Sequence, residues 1–125
     1  MKFNTFMIIY AVVSLLFGIG FVLAPGLVLS VYGVEADLSF RYIAQLFGAA
    51  LISLGMLSWS VRSAGDSDVR KAVLSSLLVG EVIGFVLAVI GQITGALNVL
   101  GWSVVFVYLL LSAGLAYFRF AGSSR

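Results

Sequence analysis

Apolar residues run almost unbroken through four long stretches of this sequence, and polar or charged residues cluster between them. The stretches cover residues 5–24, 38–61, 70–92 and 99–119. Each reaches the ~20 residues that a helix needs to cross a ~30 Å hydrocarbon core. None alternates apolar and polar residues as a barrel strand would, and lipid tolerates only helices and closed barrels. The pattern therefore predicts an all-α fold in a single domain, residues 1–125, built as a four-transmembrane-helix bundle.

The first stretch admits a second interpretation, a cleaved signal peptide with Lys2 at its positive start. Its apolar run, residues 6–23, is longer than the usual ~7–15-residue core of such a peptide. Pro25 would also stand just after the cleavage point, where its locked ring fits a peptidase poorly. These features favour a retained first helix.

The connection between the first two stretches carries helical signals of its own. Pro25 suits the first position of a helix and Gly33 suits its end, with mostly apolar residues between them. We expect a short interfacial helix on the outer membrane surface, acting either as a lid over the bundle or as a membrane-anchored connector. Asp37 and Asp68 are placed to cap the second and third long helices.

The composition supports a membrane protein and excludes several kinds of chemistry. The chain is 62% hydrophobic and 10% charged, whereas soluble domains average about 45–50% and about 25%. It contains no cysteine and no histidine, which removes disulfides, thiol chemistry, His-ligated haem and ordinary zinc sites. No basic stripe with interleaved aromatic residues lies outside the four stretches, so no nucleic-acid partner is expected. We expect neither a cofactor nor a metal.

The distribution of positive charge predicts the orientation. Only Arg41 falls on the side that carries the first and third connections. The side that carries both termini and the middle loop has six basic residues: Lys2, Arg62, Arg70, Lys71, Arg119 and Arg125. Positive residues accumulate on the cytoplasmic side, so both termini are predicted to be cytoplasmic, in the plasma membrane. The middle loop, residues 62–71, is expected to be a short solvated connector.

Glu81 is the one ionisable residue near the centre of an apolar stretch. It lies ~15 Å from the start of that stretch, about half of the ~30 Å core. A charge there is costly unless it is paired, hydrated or protonated, so it indicates a functional residue by default. A four-residue repeat of small side chains beside it predicts close helix packing and a protein-facing carboxylate: Ser76, Gly80, Gly84 and Ala88. The carboxylate is either a structural lock or a proton- or cation-binding group.

Polar residues on the other helices are candidate partners for Glu81. Arg41 and Gln45 share a face of the second helix, Ser14 lies near the middle of the first, and Tyr108 has a comparable depth on the fourth. We expect these residues to form a cluster with Glu81 that opens outward. There is no second carboxylate at that depth and no serine with a histidine base, so no catalytic residue is predicted.

Two resemblances bear on these expectations. Four helices in 125 residues are similar, by analogy, to small multidrug-resistance transporters, dimers that exchange protons and cations through a membrane glutamate. A second resemblance rests on residues 21–25, Tyr32-Gly33-Val34, Arg41 with residues 46–50, and Gly101-Trp102 with residues 108–110. These resemble uncharacterised small bacterial membrane proteins of the DoxX-like, four-helix kind. That resemblance implies a plasma-membrane bundle and supplies no activity or site.

Three functions remain open. The first is an accessory protein that packs against another membrane protein or a second copy of itself, supported by the small soluble mass and the many small residues. The second is a proton-coupled transporter or channel subunit that uses Glu81. The third is a binder of a lipid or a quinone-like molecule beneath the segment that follows Pro25. Membrane lipids are expected partners in every case.

Overall fold

A computed structural model describes residues 1–121 of the chain, and these residues form helices and connections without any strand. The helices are α1 (Phe3–Leu23), α2 (Pro25–Val31), α3 (Leu38–Val61), α4 (Asp68–Ile93) and α5 (Gly101–Ala116), which continues into a π-helical turn (Tyr117–Ala121). Four of them are long and apolar enough to cross a membrane: α1, α3, α4, and α5 with its π-helical turn. The predicted four long helices and the short helix after the first are confirmed.

The helices form two compact units. The first unit, Phe3–Arg62, holds α1, α2 and α3, and the second begins at Ser63 and holds α4 and α5. Each unit is built on one pair of antiparallel long helices. A single domain over residues 1–125 stays a prediction.

Glycine brings α1 and α3 into backbone contact in the first unit. A Cβ added to Gly18 would lie 2.8 Å from the carbonyl oxygen of Gly48, and one added to Gly48 would lie 2.7 Å from the carbonyl oxygen of Gly18. A Cβ on Gly55 would lie 3.2 Å from the carbonyl oxygen of Ala11. Small residues at such crossings let apolar helices approach closely, which increases their van der Waals contact.

Hydrogen bonds at both ends of the α1–α3 pair agree with the register that the glycine contacts set. The Asn4 amide donates to the carbonyl of Arg62 at 3.2 Å, and the Gln45 amide donates to the carbonyl of Val22 at 2.9 Å. The contacts between the two helices recur every seven residues on each helix. The successive pairs are Asn4 with Arg62, Ala11 with Gly55, and Gly18 with Gly48. A seven-residue spacing keeps contacts on one face of each helix.

The short helix α2 ends where the sequence predicts. Gly33 has a φ of 79°, a left-handed conformation that glycine adopts without a Cβ penalty. The Val34 N–H donates to the carbonyl of Leu29 at 2.9 Å and the Gly33 N–H to that of Ser30 at 3.0 Å. These two bonds make a Schellman motif, which satisfies carbonyls that the helix end leaves open. Pro25 occupies the first helical position, also as predicted.

The two predicted caps have different outcomes. The Asp37 carboxylate accepts a hydrogen bond from the Phe40 N–H at 2.8 Å and caps α3, which confirms the prediction. The prediction of Asp68 as the cap of α4 is wrong: Ser67 Oγ accepts from the Arg70 N–H at 3.2 Å, and Asp68 is the first helical residue. A carboxylate in the first turn still stabilises the helix through its dipole.

Candidate functional site

Glu81 lies on the packed face of α4. The buried residues of this helix are Arg70, Leu74, Leu77 and Glu81, and Glu81 is only 9% exposed. Their spacing of four, three and four residues matches the 3.5-residue period that holds side chains on one face of a packed helix. The predicted protein-facing position of the carboxylate therefore agrees with its burial.

The predicted small-residue stripe does not pack along its whole length. Ser76 and Gly80 are exposed. Apart from the adjoining backbone of α4 itself, no atom of residues 1–121 lies within 4 Å of the place where a Gly80 Cβ would be. Gly84 and Ala88 are half-buried. A helix has ~3.6 residues per turn, so each four-residue step turns ~40° and three such steps leave the starting face. The packed face instead continues from Glu81 to Gly84.

Gly84 makes room for the aromatic ring of Tyr108. A Cβ on Gly84 would overlap the ring, at 2.6 Å from Cδ1 and 2.7 Å from Cζ, and would come closer still to Cε1. Gly84 lies one helical turn beyond Glu81, so the Tyr108 phenol lies within electrostatic range of the Glu81 carboxyl group. The second unit therefore brings together two of the predicted site residues, a buried carboxylate and a phenol.

The register of α4 and α5 adds Ser112 to this pair. Gly84 contacts the ring of Tyr108, and α4 and α5 run in opposite directions. Glu81 lies three residues before Gly84 on α4, and Ser112 lies four residues after Tyr108 on α5. Glu81 and Ser112 are therefore at the same level along the helix pair. The Ser112 hydroxyl is buried, and it has no hydrogen-bond partner among residues 1–121. The sequence places Ser112 one helical turn beyond Tyr108, but the predicted cluster does not include it. Its one signal is a hydroxyl one turn from Tyr108 in an apolar run.

The other predicted site residues belong to the first unit. Ser14 is buried on α1. The Gln45 amide group donates to the carbonyl of Val22. Arg41 is exposed, and its Cδ would lie 3.4 Å from a Cβ on Gly26, so its stem runs along the start of α2. A cluster that joins these three side chains to Glu81 stays a prediction.

An open apolar groove lies between α1 and α2. Its volume is about 340 Å³, and its lining consists of Leu16, Phe17, Leu27, Val28, Val31 and Tyr32. This is the place, beneath the segment that follows Pro25, where the sequence suggests a lipid-soluble ligand.

Arg70 is a buried cation that the sequence placed in a solvated connector. It is 2% exposed, and its Nη1 donates to the carbonyl of Ala64 at 3.2 Å. Because α4 begins at Asp68, Arg70 already occupies the packed face of that helix. The spacing from Arg70 to Leu74 and Leu77 is the signal that could have shown this.

The side chains in these places can bind protons and ligands. No group of three or more metal-ligating side chains exists within the described range, residues 1–121. A carboxylate, a phenol and a hydroxyl can hold a proton or a small cation, and the groove can hold an apolar chain.

Comparison with known proteins yields a family without an assigned activity. Neither a curated protein nor a solved structure matches the chain. The resemblance to DoxX-like proteins stays a prediction. A family model described as "Domain of unknown function (DUF8292)" matches residues 1–120. The chain therefore belongs to the DUF8292 family.

Proposed function

We propose that this chain is a multi-pass protein of the bacterial cytoplasmic membrane with both termini in the cytoplasm. The length and hydropathy of the four long helices support this placement. The six basic residues on one side, against Arg41 alone on the other, support the orientation. In this arrangement α2 lies at the outer surface of the membrane.

Within the membrane, the chain acts as an accessory protein that binds another transmembrane helix through α4. The observation that carries this proposal is the exposure of α4: 11% of an apolar 18-residue stretch of this helix is buried, against 33% of the corresponding stretch of α1. At the centre of that exposed surface, the space beside Gly80 is open. A gap of this kind admits the backbone of a second helix, supplied by another membrane protein or by a second copy of the chain.

Cysteine cross-linking in native membranes tests this role. The chain has no cysteine, so Gly80→Cys introduces a unique thiol on the open part of α4. A thiol-specific cross-linker should yield a specific adduct, either a dimer of the chain or a heteromer. Leu110→Cys, at an exposed position of α5, serves as the control and should give little product. Equal cross-linking of the two variants would reflect random collision and would argue against the proposal.

A second candidate function is proton-coupled transport through Glu81. It is favoured by the arrangement in the second unit, where the buried carboxylate of Glu81 lies one helical turn from the Gly84 contact with Tyr108 and level with the buried Ser112 hydroxyl. Ionisable residues inside a membrane commonly mark proton or ion pathways.

Infrared difference spectroscopy on the protein in lipid tests this candidate. A carboxyl band that is absent from Glu81→Gln and titrates between roughly pH 5 and 9 supports transport or ion binding. A band that never titrates over that range, together with a loss of thermal stability in Glu81→Gln, makes the carboxyl a structural lock.

A further inference from the structure

The groove of the first unit exists because α2 folds back closely onto α1. Gly20 lacks a side chain, and a Cβ there would lie 3.2 Å from Val28 Cγ2. Pro25 and the Schellman motif at Gly33 set the two ends of α2. The groove between the two helices has a volume of about 340 Å³, near the lower end of the ~300–1,000 Å³ typical of ligand sites.

The lining of the groove selects an apolar occupant. Its side chains are aliphatic or aromatic, and the one polar group among them is the phenol of Tyr32. Leu16 lies seven residues before Leu23, the end of α1, so the groove reaches ~10 Å below that end. A hydrophilic molecule would lose its hydration there without gaining hydrogen bonds. An acyl chain makes no hydrogen bonds with water, so its binding in the groove carries no such cost.

The side chain of Arg41 lies next to the groove. The Arg41 stem packs at Gly26, directly before the groove residues Leu27 and Val28. Across the part of the chain that the structure describes, the Arg41 side chain makes no hydrogen bond or ion pair. The nearby Asp37 carboxylate instead accepts the cap hydrogen bond from Phe40.

We propose that the groove and Arg41 together bind one anionic glycerophospholipid of the outer leaflet. One acyl chain occupies the groove, and the guanidinium donates to the headgroup phosphate. Arginine presents a planar set of N–H donors that matches phosphate oxygens two at a time. A quinone-like molecule would fill the groove but leave Arg41 without an anion, so charge complementarity favours the phospholipid. The inference rests on the membrane placement proposed above.

Lipid retention by the full-length protein tests the site. The purified, delipidated protein is incubated with phosphatidylglycerol or with phosphatidylcholine, and bound lipid is counted by native mass spectrometry. The wild type should retain one phosphatidylglycerol in preference to phosphatidylcholine. Arg41→Gln should weaken phosphatidylglycerol retention by about tenfold or more, because it removes charge-assisted hydrogen bonds. Val31→Trp, which fills the groove from an exposed lining position, should reduce retention of both lipids.

Arg62→Gln is the matched control, because it removes an arginine of the same unit that is already engaged. Its guanidinium lies 3.9 Å from the ring centroid of Trp59 and donates to the Trp59 carbonyl. This variant should retain lipid as the wild type does, and circular dichroism should show equal helicity in all variants. Equal losses in Arg41→Gln and Arg62→Gln, or no preference for the anionic lipid, would overturn the site. Recovery of the wild type outside the membrane fraction would instead contradict the proposed placement.

Discussion

Gly48→Ala is the substitution whose effect the structure specifies most closely. The added Cβ would lie 2.7 Å from the carbonyl oxygen of Gly18, 2.8 Å from Phe21 Cβ and 3.1 Å from Val22 Cγ2. Carbon atoms in contact prefer separations of about 3.5–4.0 Å. The first two obstructing atoms belong to the helix backbone or are fixed directly to it, so they cannot rotate away. The α1 and α3 backbones must therefore separate by several tenths of an ångström.

Two opposing effects set the magnitude. Overpacking typically costs about 1–3 kcal/mol, and the upper part of that range applies because backbone atoms must move. Alanine gains about 1 kcal/mol over glycine in a helix interior. Subtracting this gain leaves an expected destabilisation of about 1–2 kcal/mol.

Gly80→Ala provides the internal control. It makes the same chemical change in another apolar helix, at a position where a Cβ would meet no atom of residues 1–121 within 4 Å apart from the adjoining backbone of its own helix. Only the propensity gain remains there, so stability should be unchanged or higher, by up to about 1 kcal/mol. The assay is reversible unfolding in detergent micelles, followed by circular dichroism at 222 nm, a wavelength that reports helix content. A Gly48→Ala protein as stable as Gly80→Ala would refute the close crossing of α1 and α3.

Three further predictions concern the helix ends and the orientation. Ser67→Ala should destabilise the protein by about 0.5–2 kcal/mol because it removes the α4 cap, and the same unfolding assay should show a smaller loss, about 0.3–1 kcal/mol, for Asp68→Ala; equal losses would contradict the assignment of the cap. Gly33→Ala should cost about 1–2 kcal/mol because its φ of 79° is left-handed, and an unchanged unfolding midpoint would contradict that conformation. In right-side-out vesicles, a membrane-impermeant maleimide should label Glu35→Cys, whereas Gly65→Cys should react only after the vesicles are opened; the reverse pattern would invert the proposed orientation.

The sequence by itself determined the features that depend on local chemistry. Long apolar runs produce long helices because a helix satisfies its backbone hydrogen bonds within its own segment. The bounds of α3 agree with the prediction at both ends. Pro25 begins α2 because its ring fixes φ at a helical value, and Gly33 ends it because glycine tolerates a positive φ. Neither effect depends on the surrounding structure. The Asp37 cap was likewise predictable, since its hydrogen bond reaches only three residues along the chain.

Only the tertiary structure decided which helix faces pack and which polar groups meet. A repeat of four small residues predicted close packing at Gly80, but the packed face follows a 3.5-residue period and leaves Gly80 exposed. The hydrogen bond that the Gln45 amide donates to the Val22 carbonyl of α1 was not indicated by the sequence either. The sequence placed Ser112 one helical turn beyond Tyr108, but only the register of α4 and α5 put it level with Glu81. The register of two helices, and the face that each helix turns to the other, depend on contacts between residues far apart in the chain. An apolar sequence with many equivalent small side chains carries little information about such contacts.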